Sequence, residues 1–169
     1  MIPAKLKQTI YSKRIRKAIN GRVKNSNSGN GKIGIITDAE DTGEIRSLLK
    51  LSEELGFKNS KLKLVLSGTE AEIPGNVNGI YLNPKEVSIS GKFRSEEIKS
   101  FAAENFEILI CYLREKQNPG LLLAAESKAS LVFGNSPDDF GLYDVEIKTG
   151  GIEDFQQEIK KYYRIFKRQ

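Results

Sequence analysis

The side chains able to do chemistry in this chain are carboxylates, lysines, arginines, serines, threonines and tyrosines, because histidine is absent and Cys111 is the single cysteine. Those absences remove Ser–His and Cys–His nucleophilic catalysis and the usual zinc ligand sets. Cys111 lies in the apolar run Ile108-Leu109-Ile110-Cys111 and reads as a buried structural thiol; one cysteine allows no intramolecular disulfide. Two acidic segments remain, Asp38-Ala39-Glu40-Asp41-Thr42 behind a hydrophobic run and Asp138-Asp139 within Gly134-Asn135-Ser136-Pro137-Asp138-Asp139. Such carboxylates, brought together around Mg²⁺, could act on a phosphate ester. Acids at the start of a helix also favour its dipole and need no ligand.

Basic residues are the stronger signal. Residues 1–37 hold nine Lys or Arg and no acid, and residues 160–169 hold five and no acid. The segment between carries 13 basic and 22 acidic residues, so a mildly acidic body has two basic ends within a net charge of +5. Clustered Lys and Arg displace the counterions condensed on RNA and DNA, and Arg adds bidentate phosphate contacts. The candidate nucleic-acid-binding residues are Lys13, Arg14, Arg16, Lys17, Arg22 and Lys24, joined by Lys160, Lys161, Arg164, Lys167 and Arg168 if the two ends meet. Tyr11, Tyr162 and Tyr163 are placed to stack on unpaired bases. The same pattern also suits an acidic protein, an anionic membrane surface, or an ordinary solvated helix face.

Three further patterns are weaker. Gly29-Asn30-Gly31-Lys32-Ile33-Gly34 spells G-x-G-x-x-G. A dinucleotide site needs those glycines between a strand and the next helix; here they precede and enter a strand, so the segment reads as a linker. Asp38 after its hydrophobic strand, with Asp138 and Asp139 later, resembles the haloacid-dehalogenase phosphohydrolases, although Glu40 stands where that family has its second Asp. Tyr112, Arg114, Glu115 and Lys116 follow another apolar strand and are candidates for a small-molecule pocket or a solvated loop.

The elements that must position these groups follow from periodicity. Leu6, Ile10, Tyr11, Ile15, Ala18, Ile19 and Val23 recur every three or four residues and predict a helix over 3–23, with Lys7 among the cations on its other face. Asn25 to Gly31 predicts a flexible linker. Beyond it, strands are expected at 32–37, 61–66, 106–112, 131–133 and 143–148, with short extended pieces at 80–82 and 87–90. Helices are expected at 41–55, stopped by Gly56, at 96–104 capped by Ser95, from Asn118-Pro119 to Lys128, and at 152–167. This alternation predicts an α/β fold with a mostly parallel sheet and helices on both faces, a Rossmann-like or flavodoxin-like three-layer arrangement preceded by the basic helix. The expected organisation is a basic arm and linker over 1–31 and one α/β domain over 32–169.

Lys13-Arg14-Ile15-Arg16-Lys17-Ala18-Ile19-Asn20, Ile33-Gly34-Ile35-Ile36, Phe106-Glu107-Ile108-Leu109-Ile110, Leu121-Leu122-Leu123-Ala124-Ala125, Ser127-Lys128-Ala129 and Gly134 together resemble a family of small cytoplasmic Bacteroidetes proteins of unknown function. The resemblance covers nearly the whole chain, implies the same fold and basic N-terminal segment, and brings no catalytic residues. The start of the chain lacks the apolar core of a secretion signal, and no run is long enough to span a membrane. The reading is therefore a cytoplasmic, non-enzymatic accessory protein binding RNA or the ribosome surface through phosphates, without cofactor or metal. Its alternative is a metal-assisted phosphohydrolase using Asp38 with Asp138 or Asp139, or a small-molecule-binding domain at the strand C-terminal edge.

Overall fold

A computed structural model describes residues 4–22, 31–75, 77–88, 92–115, 119–148 and 150–168. Among them, six parallel strands form one sheet in the order β3-β2-β1-β4-β5-β6. The strands are β1 (Ile33–Thr37), β2 (Leu62–Ser67), β3 (Asn78–Leu82), β4 (Asn105–Tyr112), β5 (Lys128–Asn135) and β6 (Val145–Ile147). The helices are α1 (Ala4–Asn20), α2 (Thr42–Glu54), α3 (Glu96–Ala103), α4 (Pro119–Glu126) and α5 (Ile152–Lys167). None of the described helices is long and apolar enough to cross a membrane.

β1 and β4 are buried along almost their whole lengths because helices cover both faces of the sheet. One core gathers Ile36, Val65, Leu109, Cys111 and Val132 beneath α1, α3 and α4, which contribute Tyr11, Ile15, Ile98, Phe101, Leu122 and Leu123. The other packs Ile35, Leu64, Ile110 and Phe133 against Ile45, Leu48 and Leu51 of α2 and Phe155 and Ile159 of α5. Helix α1 is therefore docked rather than free. Tyr11 and Ile15 are only 6% and 2% exposed, and the wholly apolar Ile15 contributes about 1.5–3 kcal/mol by leaving water.

Local chemistry sets the helix ends. The Asp41 carboxylate accepts the Gly43 N–H at 2.7 Å and caps α2, and Ser95 caps α3 through the Ile98 N–H. Gly56 stops α2 with φ at +92°, a left-handed conformation that L side chains rarely adopt. Gly34 of the G-x-G-x-x-G stretch lies inside β1, where a Cβ would approach Leu109 Cδ1 to 2.9 Å and the Phe101 and Phe106 rings to 3.1 Å. Its bare backbone admits that aromatic pair, whose ring centroids are 4.8 Å apart. Gly29 and Asn30, with most of the expected linker, lie outside the described residues.

Several boundaries differ from the sequence expectation. Helix α4 ends at Glu126 instead of Lys128, and β5 begins at Lys128 instead of Leu131. The ladder between β4 and β5 recruits these residues, with Asn105 opposite Lys128 and Phe106 opposite Ala129. The last strand is shorter than expected, Val145–Ile147, because Tyr143 turns in against Gly134; a Cβ on Gly134 would meet the ring at 2.2 Å.

Candidate functional site

The strand order reverses direction at β1, since the chain runs outward through β2 and β3 and returns to pair β4 on β1's other edge. Ligands in open α/β sheets enter the crevice this reversal leaves at the carboxyl ends of the strands. Here Asp38, only 9% exposed, crosses that crevice. Its carboxylate accepts the Arg114 N–H at 3.0 and 2.9 Å and the Glu115 N–H at 2.8 Å. Thr37 Oγ1 donates to the Tyr112 carbonyl at 2.7 Å. From the other side, Asn135 accepts the Leu113 N–H and donates to its carbonyl, each at 2.9 Å. Glu44 pairs with the Arg114 guanidinium and accepts the Tyr112 hydroxyl at 3.3 Å.

The crevice is thus stitched by the protein's own groups. A recess of about 250 Å³ remains, bordered by Leu113, Arg114, Asn135 and Tyr143. Burial pushes the Tyr143 hydroxyl far above its ordinary pKa. Tyr112, Arg114 and Glu115 gather at this edge, whereas Lys116 lies outside the described residues. Asp138 organises its own turn by accepting the N–H groups of Phe140, Leu142 and Tyr143 at 3.3, 2.9 and 2.8 Å. Asp38 and Asp138 therefore each serve a separate backbone segment. No group of three or more metal-ligating side chains occurs among the described residues.

The basic residues meet at the opposite edge. A cleft of about 830 Å³ opens among the last turn of α1, the ends of α3 and α4 and the start of β5. Among the described residues its cations are Arg14, Lys17, Arg22, Lys92, Lys99 and Lys128, its lining includes Ala18, Ala102, Ala103 and Ala125, and Glu126 is the one carboxylate. Arg14 pairs with Glu126 at 2.8 Å. Burial raises the Glu126 carboxyl above its ordinary pKa, opposed by the charge of Arg14 and its hydrogen bond. Arg22 donates to the carbonyls of Leu142 and Ala124, both neutral acceptors, at 3.2 and 3.3 Å. Lys99 contacts Glu96 at 3.3 Å, a solvated pair of small energetic consequence.

Sequence reasoning identified Arg14, Lys17 and Arg22 of this cleft and missed Lys92, Lys99 and Lys128, which are scattered through the acidic middle of the chain. Lys13 is exposed on α1, and Arg16 lies over the Phe140 ring, 5.3 Å from its centroid. Lys24 lies outside the described residues. The C-terminal cations belong to the other face of the sheet with α5. Lys160 pairs with Glu54, Lys161 lies 5.6 Å from the Tyr162 ring centroid, and Lys167 approaches Glu107 at 3.8 Å. Arg164 and Arg168 are exposed. The stacking role expected for Tyr11 and Tyr163 is corrected: each is 6% exposed, in separate cores, and Tyr163 donates its hydroxyl to Glu107 at 2.7 Å.

Fold and site together define a Rossmann-type α/β domain whose switch-point crevice is closed by an internal carboxylate and whose cations line a cleft at the other end of the sheet. The chain belongs to the family of unknown function DUF6913, whose model matches residues 7–166. No curated protein and no solved structure matches it.

Proposed function

We propose that this is a cytoplasmic, non-enzymatic accessory protein that binds RNA, including ribosomal RNA surface, through phosphate contacts in the basic cleft. The observation that carries the reading is that, among the described residues, six cations face one carboxylate around one concave surface. With Arg14 held by Glu126, Lys17, Arg22, Lys92, Lys99 and Lys128 remain for phosphate. Phosphate contacts carry no base identity, so binding is sequence-tolerant. The phosphohydrolase alternative gains no support from Asp38 and Asp138, whose carboxylates hold separate loops.

A filter-binding titration against structured RNA at several salt concentrations tests the proposal. Five phosphate contacts give a log–log salt slope of about −4, hence a loss of roughly two to three hundredfold between 50 and 200 mM salt. The combined change Lys17→Glu and Lys128→Glu, both at exposed positions, flattens that slope and weakens binding. Undetectable binding at low salt, or binding indifferent to this charge reversal, overturns the proposal. Charge reversal is preferable to truncation, because removing α1 also removes Tyr11 and Ile15 from the core.

A further inference from the structure

We infer that the RNA engaged is double-helical, gripped by its two backbones, an inference that rests on the RNA-binding reading and specifies its partner. Helix α5 ends at the edge of the sheet where the strands begin: Tyr163 and Lys167 reach Glu107, near the start of β4, and Lys160 reaches Glu54 at the end of α2. The Glu107 N–H donates to the Lys32 carbonyl at 2.8 Å, just before β1. Lys32 and Lys63 both pair with Glu104, the residue after Ala103 of the cleft lining. An unbroken path of contacts thus leads from the α5 terminus, across the sheet edge, to the cleft.

The cations therefore form two rows at one end of the molecule. One is the cleft on the α1 face, and the other is Arg164, Lys167 and Arg168 on the α5 face. The rows are separated by the sheet and roughly 20 Å, since a helix with its side chains is about 10 Å across on each face. Along the edge, β2, β1, β4 and β5 span about 14 Å at the usual strand spacing. A single strand offers one line of phosphates, whereas a duplex offers two lines facing each other across a groove. Double-stranded RNA is recognised in that way, by shape and backbone across its shallow minor groove.

Among the described residues the cleft offers no exposed ring, although Phe166 beside the α5 cations is 41% exposed. Single-strand binders combine a cationic groove with aromatic faces that hold successive bases. Among the described residues lining the cleft the aromatic one is Phe93, 5% exposed. The rest of the apolar lining is largely alanine, which offers close approach without a ring for a base.

The test compares three labelled probes of equal phosphate number in a fluorescence-anisotropy titration: a mixed-sequence RNA duplex, an unpaired RNA of the same composition and a DNA duplex. The expected result is about tenfold tighter binding of the RNA duplex than of unpaired RNA, the effect of one or two additional phosphate contacts near 0.1 M salt. The exposed-site variant R164E/R168E should lose about tenfold on the duplex and little on unpaired RNA, while K17E/K128E weakens both. Unpaired RNA binding as tightly as the duplex, or R164E/R168E weakening both equally, overturns the inference and leaves the RNA-binding reading standing. Binding of the DNA duplex as tight as the RNA duplex overturns the assignment to RNA. Failure of all three probes to bind overturns the inference together with the reading beneath it.

Discussion

Replacing Asp38 by alanine tests what closes the switch-point crevice. Its carboxylate receives two backbone N–H groups, from Arg114 and Glu115, at 2.8–3.0 Å, from a nearly buried position. Hydrogen bonds to a charged partner contribute about 1.5–3 kcal/mol each. The lower value applies here because the loop lies at the surface and water can reach part of it, giving a loss of about 3 kcal/mol for Asp38→Ala. In a chain of this length, 1 kcal/mol moves the melting temperature by about 2–4 °C, so melting should fall by roughly 6–12 °C. Asp38→Asn keeps one acceptor oxygen without the charge and should fall between that variant and the parent. Thermal unfolding followed by circular dichroism measures the shift, and amide exchange should show faster exchange at Arg114 and Glu115. An Asp38→Ala protein that melts within about 1 °C of the parent, with both amides equally protected, would refute the carboxylate bridge.

Gly34→Ala should lower stability by about 1–3 kcal/mol through overpacking against Leu109, Phe101 and Phe106; a urea midpoint equal to the parent's would refute the packing role. Glu104→Gln should remove a pH-dependent contribution of about 1 kcal/mol. The hydrogen bond from Lys32, then that from Lys63, holds the Glu104 carboxyl below its ordinary pKa despite partial burial. A depressed folded-state pKa stabilises above the unfolded-state value, and that stabilisation is lost as pH falls through the folded-state value. The gap between parent and Glu104→Gln should therefore be full at neutral pH and close in acid; a gap that widens in acid contradicts the assignment.

Helix and strand alternation was legible because its cause is local. The Asp41 cap, the Gly56 stop and the apolar spacing of α1, α2 and α5 each act within a few residues. The α4–β5 boundary was misread because a distant strand decides it: Lys128 joins β5 by pairing opposite Asn105. The acidic segment at 38–42 divides in the same manner. Asp41 caps the adjacent helix, whereas Asp38 holds amides 76 and 77 residues away, and residue type alone does not distinguish those roles. Tyr11 and Tyr163 looked available for stacking, but each occupies an apolar position on its helix and packs inward.

The basic cleft was half legible, and the fold explains why the remainder was hidden. Helices following parallel strands run back along the sheet, so their C-terminal ends collect where the strands begin and their N-terminal ends where the strands finish. Helix dipoles favour acids at N-termini and cations at C-termini. Accordingly Asp41, Glu44, Glu153 and Asp154 stand at the starts of α2 and α5, while Lys17, Arg164 and Lys167 occupy last turns and Arg22 donates to the Ala124 carbonyl near the end of α4. Along the chain these cations sit at the two ends and these acids between them, within a mildly acidic middle. In three dimensions these helix-start acids lie at one end of the sheet and these cations at the other, where Glu54, Glu104, Glu107 and Glu126 also pair with neighbouring cations. Lys92, Lys99 and Lys128 gain their significance only there, because chain reversal sets them beside Lys17 and Arg22. A charge count along the sequence finds the basic ends, and only the direction of the strands shows that both ends reach the same edge.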